Sequence, residues 1–444
     1  MYKLLLVQFF LFFSLSLQAQ TPGSIINELK TINTSLVNTP SNMGSGRLIS
    51  NRAMNIFLAN KAGYYLAESD NLSLYKNSAI YNSAEGLITV NHNLYKPKEI
   101  DERVGSITSV GVKANVADAF SAASSGRQFN NQLGFNWKQT WIAKGNTYYN
   151  NSASSFLNQK KIMDALRAAI LHILETEINA KAKEFEVSLK AIDTALEIPG
   201  QDVQAAKNTM HNKFYADLQQ EYEFRFASLQ SETLINTLNY KYVATNWTSI
   251  NVYIPLLTQK FTIVPSLSGS FTDKHAYPLQ VTVSHTQFFE SSKYGKLFLT
   301  LGAGGYSNNS KESYGLNKTT YTDYRNRGGT DTLHAAQLEA GGIYIGSYES
   351  FFTPLIKGQV VWLPPDWHFG ISLSLEQSLG RYSPLNGRIG IPIVLINKQA
   401  NPSINFEFQV HFFDIGGKID VDKLTTGKTS IGISIGIPFS RIAY

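Results

Sequence analysis

Residues 404–412 read Ile-Asn-Phe-Glu-Phe-Gln-Val-His-Phe, a strict alternation of large apolar and polar side chains. Successive side chains of a β-strand point to opposite faces, so this segment predicts a strand with one apolar and one polar face. Two fold classes use such strands. A soluble sandwich buries the apolar face, whereas a membrane barrel turns it to lipid and lines its lumen with the polar one.

The N-terminal residues favour the membrane class. Lys3 is followed by an apolar run over residues 4–17 and by Leu-Gln-Ala at 17–19, the pattern of a secretory signal peptide over residues 1–19. We expect cleavage near Ala19 and a mature chain that begins at Gln20. No later segment has the roughly 20 consecutive apolar residues of a spanning helix. The chain has no cysteine, so disulfides and a lipid-modified cysteine are excluded.

Composition points the same way. Hydrophobic residues make up 43% of the chain and charged residues only 16%, without a long apolar run, which suits a barrel better than a soluble enzyme. The net charge of +6 comes from scattered basic residues, so nucleic acid is not an expected partner.

Alternating segments of the length of a tilted membrane strand recur along the chain. They lie near residues 86–96, 104–116, 129–145, 238–256, 260–269, 277–289, 295–306, 333–346, 352–363, 367–377, 386–396, 403–413 and 428–439. A bacterial barrel has an even number of strands. If Pro255, Pro392 and Pro438 all mark periplasmic strand ends, one more strand is required, and residues 318–325 can supply it. The predicted fold class is therefore an all-β membrane barrel of about 14 antiparallel strands.

A helical insert interrupts the strands. Apolar residues recur at helical spacing over residues 155–198 and 203–229, and Pro199-Gly200 between them stops the first helix. The pattern predicts a long antiparallel hairpin over residues 151–237. The proline argument places it on the extracellular side. The remaining boundaries are an N-terminal periplasmic or plug segment at 20–85, first barrel strands at 86–150 and remaining strands at 238–444.

The segment before the first strand resembles the entry segment of FadL-like outer-membrane proteins, a group that includes PorV-type barrels of type IX secretion. The matching residues are Arg52, Met54, Ala67, Asp70, Asn77 and Ala79. Asn55 and Ser78 depart from the Gly and Pro of that pattern. The resemblance covers about thirty residues. It implies an outer-membrane location, about fourteen strands, and either passage of small hydrophobic solutes or a role in protein secretion.

No catalytic, cofactor or metal motif is recognised, so an enzyme is not expected. Glycines at 302, 304 and 305 continue a strand and open no phosphate-binding helix. The eight histidines lack metal-ligand spacing. The candidate lumen residues are Lys357, Glu376, Glu407, Gln409 and His411. They either form a solute-selecting constriction or simply solvate and stabilise the barrel.

Aromatic residues suggest two kinds of contact. Tyr444 and the five tryptophans, Trp137, Trp141, Trp247, Trp362 and Trp367, are interpreted as an interfacial girdle in contact with outer-membrane lipid. On the hairpin, Phe185, Val187, Phe224 and Phe226 cannot all face one seam, so some apolar surface is predicted to remain exposed for a partner.

Two functions follow from these predictions. The first is a non-enzymatic accessory or scaffold subunit that binds a surface protein-export or membrane-assembly complex through its hairpin. The second is a FadL-like channel that passes a small hydrophobic molecule. A hollow apolar lumen would favour the channel, and a plugged lumen would favour the scaffold.

Overall fold

A computed structural model describes residues 21–38, 45–46, 48–62, 76–83, 87–95, 101–115, 124–125, 128–129, 133–148, 153–195, 201–237, 240–256, 258–265, 272–313, 316–319, 322–325, 334–337, 343–396, 402–419 and 429–439. The predicted signal peptide, Tyr444, and the Ala67 and Asp70 of the entry segment lie outside these ranges. The chain divides into two compact units. One comprises Met1–Phe57, Pro97–Arg103 and Asn146–Lys241, and the other Leu58–Lys96, Val104–Gly145 and Tyr242–Tyr444.

The described helices are α1 (Pro22–Val37), α2 (Asn51–Ala62), α3 (Ala153–Ala195) and α4 (Gln201–Thr237). The described strands are β1 (Ser45–Gly46), β2 (Ser78–Asn82), β3 (Leu87–Leu94), β4 (Ser106–Asn115), β5 (Ser124–Ser125), β6 (Gln128–Phe129), β7 (Gly134–Ile142), β8 (Asn146–Tyr148), β9 (Tyr242–Pro255), β10 (Gln259–Val264), β11 (Thr272–Ala276), β12 (Gln280–Ser291), β13 (Gly295–Asn309), β14 (Asn317–Thr319), β15 (Thr322–Arg325), β16 (His334–Gln337), β17 (Ile343–Ile345), β18 (Ser350–Leu363), β19 (Ile371–Ser378), β20 (Leu385–Ile396), β21 (Pro402–Phe412) and β22 (Thr429–Pro438). None of the described helices is long and apolar enough to cross a bilayer.

Twelve antiparallel strands close into a barrel in the second unit. Their order is β9, β12, β13, β18, β19, β20, β21, β22, β2, β3, β4 and β7, and β7 pairs with β9 to complete the ring. Closure leaves no unpaired edge, because every wall strand has two hydrogen-bonded neighbours. The barrel is thus confirmed, with twelve strands in the ring and not the predicted fourteen.

Three predicted wall strands lie outside the ring. Residues near 260, 318 and 344 belong to β10, β14 and β17, which join β11 in a separate four-stranded sheet. That sheet has its own small core of Phe261, Ile263 and Leu316. β15 and β16 pair only with each other. These short segments alternate as strands do, but they pair locally within two long connections, residues 256–279 and 310–349.

The two ends of the ring differ. The terminal rim is the end at which β2 begins and β22 ends, and there the Phe439 backbone N–H donates to the Asn77 carbonyl at 3.0 Å. Antiparallel alternation puts the tight Ser291–Gly295 turn, the start of β9 and the end of β7 at the same rim. The opposite end, the loop rim, carries the two long connections.

This arrangement removes the premise from which the extracellular side was predicted for the helical insert. β9 starts at the terminal rim, so Pro255 at its far end lies at the loop rim, opposite Pro438. The three Ile-Pro pairs therefore do not mark one end of the barrel. The insert leaves the wall after β7 and returns at β9, at the rim that carries both ends of the barrel sequence.

The first unit is built on three helices. α3 and α4 form the predicted hairpin, and α1 packs against both. The shared core contains Ile25, Ile26 and Leu29 of α1 together with Leu171, Leu174, Ile178, Ala182, Tyr215, Leu218, Tyr222 and Phe226 of the hairpin. Thr21 and Ser24 form a reciprocal capping box at the start of α1, which fixes where this helix begins.

Candidate functional site

The outward face of the barrel wall is largely apolar, whereas its inward face combines buried polar side chains with a few buried apolar ones such as Phe288, Phe298 and Val361. On β21, Glu407 and Gln409 are fully buried, whereas Phe408 between them is 49% exposed. On β22, Ser434 is fully buried and Ile431 is 80% exposed. Soluble barrels show the reverse distribution, because burying apolar surface is the main driving force of folding in water. The interior is therefore the first place to look for a functional site.

A hydrogen-bonded chain occupies one side of this interior. Ser372 Oγ donates to Glu407 Oε1, and Gln409 Nε2 donates to Glu407 Oε2 at 3.1 Å. His411 Nε2 lies 2.9 Å from Gln409 Oε1, which also receives a longer bond of 3.5 Å from Asn82 Nδ2. The chain links β19, β21 and β2 and satisfies a carboxylate that would otherwise be buried without partners.

Gly390 makes room for that carboxylate. A Cβ at this position would lie 2.1 Å from Glu407 Oε1 and 2.5 Å from Ser372 Oγ. Both distances are below van der Waals contact, so a larger residue would displace Glu407 from its partners. This close approach explains why the inward position 390 is a glycine.

Three of the five predicted lumen residues lie in this chain, namely Glu407, Gln409 and His411. The other two, Lys357 and Glu376, are directly opposite each other on β18 and β19, and both are half-buried. The structure thus separates the five residues into a buried network and a cross-strand pair of opposite charge. They do not form one constriction.

A second polar group lies at the terminal rim, and the sequence analysis missed it. Glu290 Oε1 lies 2.8 Å from Lys61 Nζ of α2, and Glu290 Oε2 lies 3.8 Å from Lys296 Nζ. All three side chains are at most 14% exposed. Glu290 and Lys296 face each other across the Ser291–Gly295 turn, so cross-strand pairing in a hairpin was the available signal. Nothing local in the sequence could assign Lys61 to them.

The end of α2 is held inside the barrel by these contacts. Leu58, Ala59 and Ala62 are at most 7% exposed. Lys76 Nζ donates to Asn60 Oδ1 at 3.4 Å and adds a second link between this helix and the terminal rim. Residues 58–62 therefore obstruct the interior at that rim.

The walls away from these groups are also joined by short polar contacts. Ser109 Oγ donates to Asn93 Oδ1 at 2.5 Å, and the hydroxyls of Thr140 and Ser249 are 3.0 Å apart. Trp247 is inward and only 9% exposed, so it is not part of an outer girdle. The four other tryptophans, Trp137, Trp141, Trp362 and Trp367, are 38–52% exposed.

The candidate partner residues of the hairpin divide into core and surface. Phe226 is 1% exposed and belongs to the core. The Phe185 ring stacks on Phe214 with centroids 3.9 Å apart and an interplanar angle of 3°. Phe224 is half-buried, and only Val187 is exposed, at 62%. Phe185 therefore packs on α4, and Phe226 lies in the core that the hairpin shares with α1.

Val187 belongs to an apolar stripe on α3. Ile162 and Ile173 on the same helix are 49% and 55% exposed. Their spacings of eleven and fourteen residues place the three side chains within about 40° of one another around a helix of 3.6 residues per turn. Ala169 and Ala180 are also exposed on this face. The stripe is an apolar helix surface without a partner among the described residues.

The potential metal ligands do not form a cluster in the described part of the chain. Among the described residues, no set of three or more His, Cys, Asp or Glu side chains could hold a metal ion. A comparison of the sequence with models of known protein families gives no match, and a comparison with curated proteins gives none either.

Proposed function

We propose that this chain is an outer-membrane β-barrel that acts as an accessory or scaffold subunit of a protein-export or membrane-assembly complex. The observation that carries the membrane location is the inverted wall. Large apolar side chains such as Ile391 and Ile431 are 50% and 80% exposed on the outside of a ring whose inward positions include the fully buried Glu407, Gln409 and Ser434. Exposure of this apolar surface to water would be unfavourable, whereas contact with the acyl chains of a bilayer is expected for such a surface.

The orientation follows from the connections. Barrels of this class have short periplasmic turns and longer extracellular loops. The terminal rim has turns over residues 292–294 and 364–370, while the loop rim has the connections over 256–279 and 310–349. We therefore assign the terminal rim, and the strand ends that carry the helical insert, to the periplasmic side.

The interior supports a scaffold more than a conduit. Buried side chains of Glu407, Gln409, Asn136 and Lys138 are within the wall strands, and residues 58–62 obstruct the terminal rim. A solute path along the barrel would require α2 to move out and the ion pair of Lys61 with Glu290 to break.

The surface proposed to dock the complex is the α3 stripe of Ile162, Ile173 and Val187. An apolar face that recurs with helical periodicity fits a helix of a partner protein, which would cover it by side-chain packing. Of the four residues predicted from the sequence, this proposal retains Val187 and leaves out Phe185, Phe224 and Phe226.

The test is a pull-down from membranes solubilised in mild detergent. The double variant Ile173→Glu/Val187→Glu puts two charges on the stripe, and we expect it to lose specific partners by tenfold or more. The double variant His172→Glu/Asn179→Glu alters two exposed positions about a quarter turn away on the same helix and serves as the matched control. Equal recovery of the same partners with both variants would contradict docking through the stripe.

The channel hypothesis has a separate test. An apolar groove of about 410 Å³ lies on the outer wall at Gly358, between Leu301 and Leu375, and a small hydrophobic molecule could bind there.

The conductance of the barrel tests the channel. We expect the purified barrel to show no steady single-channel conductance in planar bilayers. Stable conductance of the wild-type protein would contradict the plugged interior and support the channel.

A further inference from the structure

The outer wall has a polar patch on one side. Six outward side chains of β4, β7, β9 and β12 are polar: Thr108, Gln139, Asn246, Thr248, His285 and Gln287, with the outward Trp141 and Ile250 between the members on β7 and those on β9. His285 and Gln287 are exposed, and the other four are half-buried. The four strands are consecutive in the ring. These six residues are called the polar patch below.

The patch lies well within the wall. Thr248 is the seventh residue of the fourteen in β9, and His285 is the sixth of the twelve in β12. Two of its contacts are hydrogen bonds, between Thr248 Oγ1 and His285 Nδ1 at 2.9 Å and from Thr108 Oγ1 to Gln139 Oε1 at 2.5 Å. Asn246 and Gln287 are direct cross-strand neighbours. Thr248 and His285 are each at least five residues from either end of their strands, which is too far for a polar rim to explain this pair.

The other strands of the wall carry apolar side chains at the positions that pair, strand by strand, with the polar patch. Following the cross-strand pairs from Gln287 around the ring leads to a series of large apolar side chains, Leu299, Val360, Leu373, Ile389, Val410 and Ile431. The outer wall is therefore continuous and apolar across β13 and β18–β22, and the patch interrupts it on the opposite side.

Such groups need a partner in a bilayer. Hydrocarbon offers no hydrogen bonds, and polar side chains at this depth are expensive unless they contact protein or water. If the wall crosses a membrane, as proposed above, the polar patch is a surface that faces protein and not acyl chains. This inference rests on that proposed location.

The chemistry of the patch points to a second copy of this chain. Asn, Gln and Thr side chains, and a neutral imidazole, each carry a donor and an acceptor, so the surface can satisfy itself across a two-fold axis. No Asp, Glu, Lys or Arg occupies an outward position of β4, β7, β9 or β12 in the described wall, so no charged partner is called for.

The size of the face is sufficient for a dimer. The whole four-strand face that carries the patch, apolar positions included, has four strands at about 4.8 Å spacing and about eleven residues at about 3.3 Å, or roughly 700 Å² per copy. This is close to the roughly 800 Å² that each partner contributes to a stable interface. We propose that two copies associate side by side through the polar patch.

Single-cysteine cross-linking tests the inference directly, because the natural chain has no cysteine. Asn246→Cys, His285→Cys and Gln287→Cys are made one at a time and oxidised in native membranes. Phe408→Cys and Ile391→Cys, which are 49% and 50% exposed on the opposite side of the ring, serve as controls. We expect a product of twice the chain mass from at least one patch position and from neither control.

Three other outcomes would overturn the inference. Monomer at all three patch positions removes the interface, and a cross-linked product of any mass other than twice the chain identifies a different occupant. Dimer at the control positions as well shows random collision. Fractionation of the same samples separates these results from failure of the proposed function, since protein recovered in the soluble fraction without detergent would overturn both.

A substitution gives an independent readout. The triple variant Asn246→Leu/His285→Leu/Gln287→Leu makes the patch as apolar as the remaining wall, and we expect a monomeric mass in detergent where the wild type is dimeric. Ile389→Leu/Ile391→Leu/Ile393→Leu is the matched control and stays dimeric. Heat-modifiable mobility on gels confirms that both variants are folded. A triple patch variant that remains dimeric would contradict the proposal.

Discussion

Buried charges in the helical unit are paired, and one of them is Glu223, which also accepts a hydrogen bond from Gln219 Nε2 at 2.7 Å. The guanidinium of Arg52 donates to Glu223, and both side chains are 9% exposed. The Arg52 backbone N–H is held in turn by Asp101 Oδ1 at 3.0 Å. A buried ion pair is weak evidence for net stability, but loss of one member leaves the other charge without compensation.

Arg52→Ala should therefore destabilise the helical unit by about 3–5 kcal/mol. The measurement is urea unfolding of the full chain in detergent, followed by circular dichroism at 222 nm. Lys181→Ala is the control, because its ion pair with Glu221 is 43% and 51% exposed and such pairs contribute about 0–1 kcal/mol. Equal losses for the two variants would contradict the assigned role of burial.

Glu28 makes the stability of the same unit depend on pH. Burial raises the pKa of Glu28, and the nearby Glu223 carboxylate raises it further, while a hydrogen bond from Gln219 opposes them. Folding thus favours the protonated form of Glu28. Its ionisation destabilises the folded unit as pH rises from the unfolded-state pKa through the higher folded-state pKa.

Glu28→Gln should raise the melting temperature of the helical signal at pH 7.5, because it removes the charge that folding disfavours. The gain should vanish at pH values well below 4.5, the ordinary pKa of a glutamate side chain, where the wild-type carboxyl is protonated in both states. Melting curves of both proteins at these two pH values check the sign. A variant that is less stable than the wild type at pH 7.5 would contradict the argument.

At the scale of elements, α1 is the part of the N-terminal segment that acquires a clear structural role. The sequence predicts a periplasmic or plug segment over residues 20–85. The structure shows that Ile25, Ile26 and Leu29 complete the hairpin core. The plug position belongs instead to α2, whose residues 58–62 lie in the barrel unit.

Leu29→Ala should lower the stability of the helical unit by about 2–5 kcal/mol, the range for removing a buried leucine side chain. Leu29 is 1% exposed and contacts both hairpin helices through the shared core. Asn27→Ala, at an exposed position two residues earlier, should change it by less than about 0.5 kcal/mol. Unfolding followed at 222 nm checks both. A neutral Leu29 variant would show that α1 is not an integral part of the unit.

At the scale of the whole molecule, the inverted wall is the property from which the proposed location follows. Four tryptophans are outward and exposed, whereas Trp247 is inward on β9. This difference allows the two faces of the wall to be distinguished by fluorescence without any introduced label.

In vesicles of lipids brominated on their acyl chains, emission from the outward tryptophans should be quenched and that of Trp247 should persist. Trp247→Phe should therefore increase the quenched fraction of the total emission. Trp362→Phe is the control and should decrease that fraction. A Trp247 variant with an unchanged quenched fraction would contradict the inward position of this side chain.

The local periodicity of the sequence predicted much of the fold. Alternation with period two identified eleven of the twelve wall strands, all but β2, which lies in the predicted N-terminal segment at 20–85, and it assigned Glu407, Gln409 and His411 to one face. That periodicity is a property of each strand alone. Helical spacing likewise identified the two hairpin helices. Ring closure is different, since a short alternating segment such as β10 or β17 pairs equally well outside the wall.

Tertiary structure decided the strand count, the rim that carries the insert, the burial of Phe226 and the position of the polar patch. Each depends on which distant segments meet: α1 on the hairpin, Lys61 beside Glu290, and Thr108 on the same outer surface as His285. A sequence pattern predicts which residues of one helix or strand share a face. What each face contacts is determined by the pairing of elements that lie far apart in the chain, because only closure of the barrel and packing of the helices bring them together.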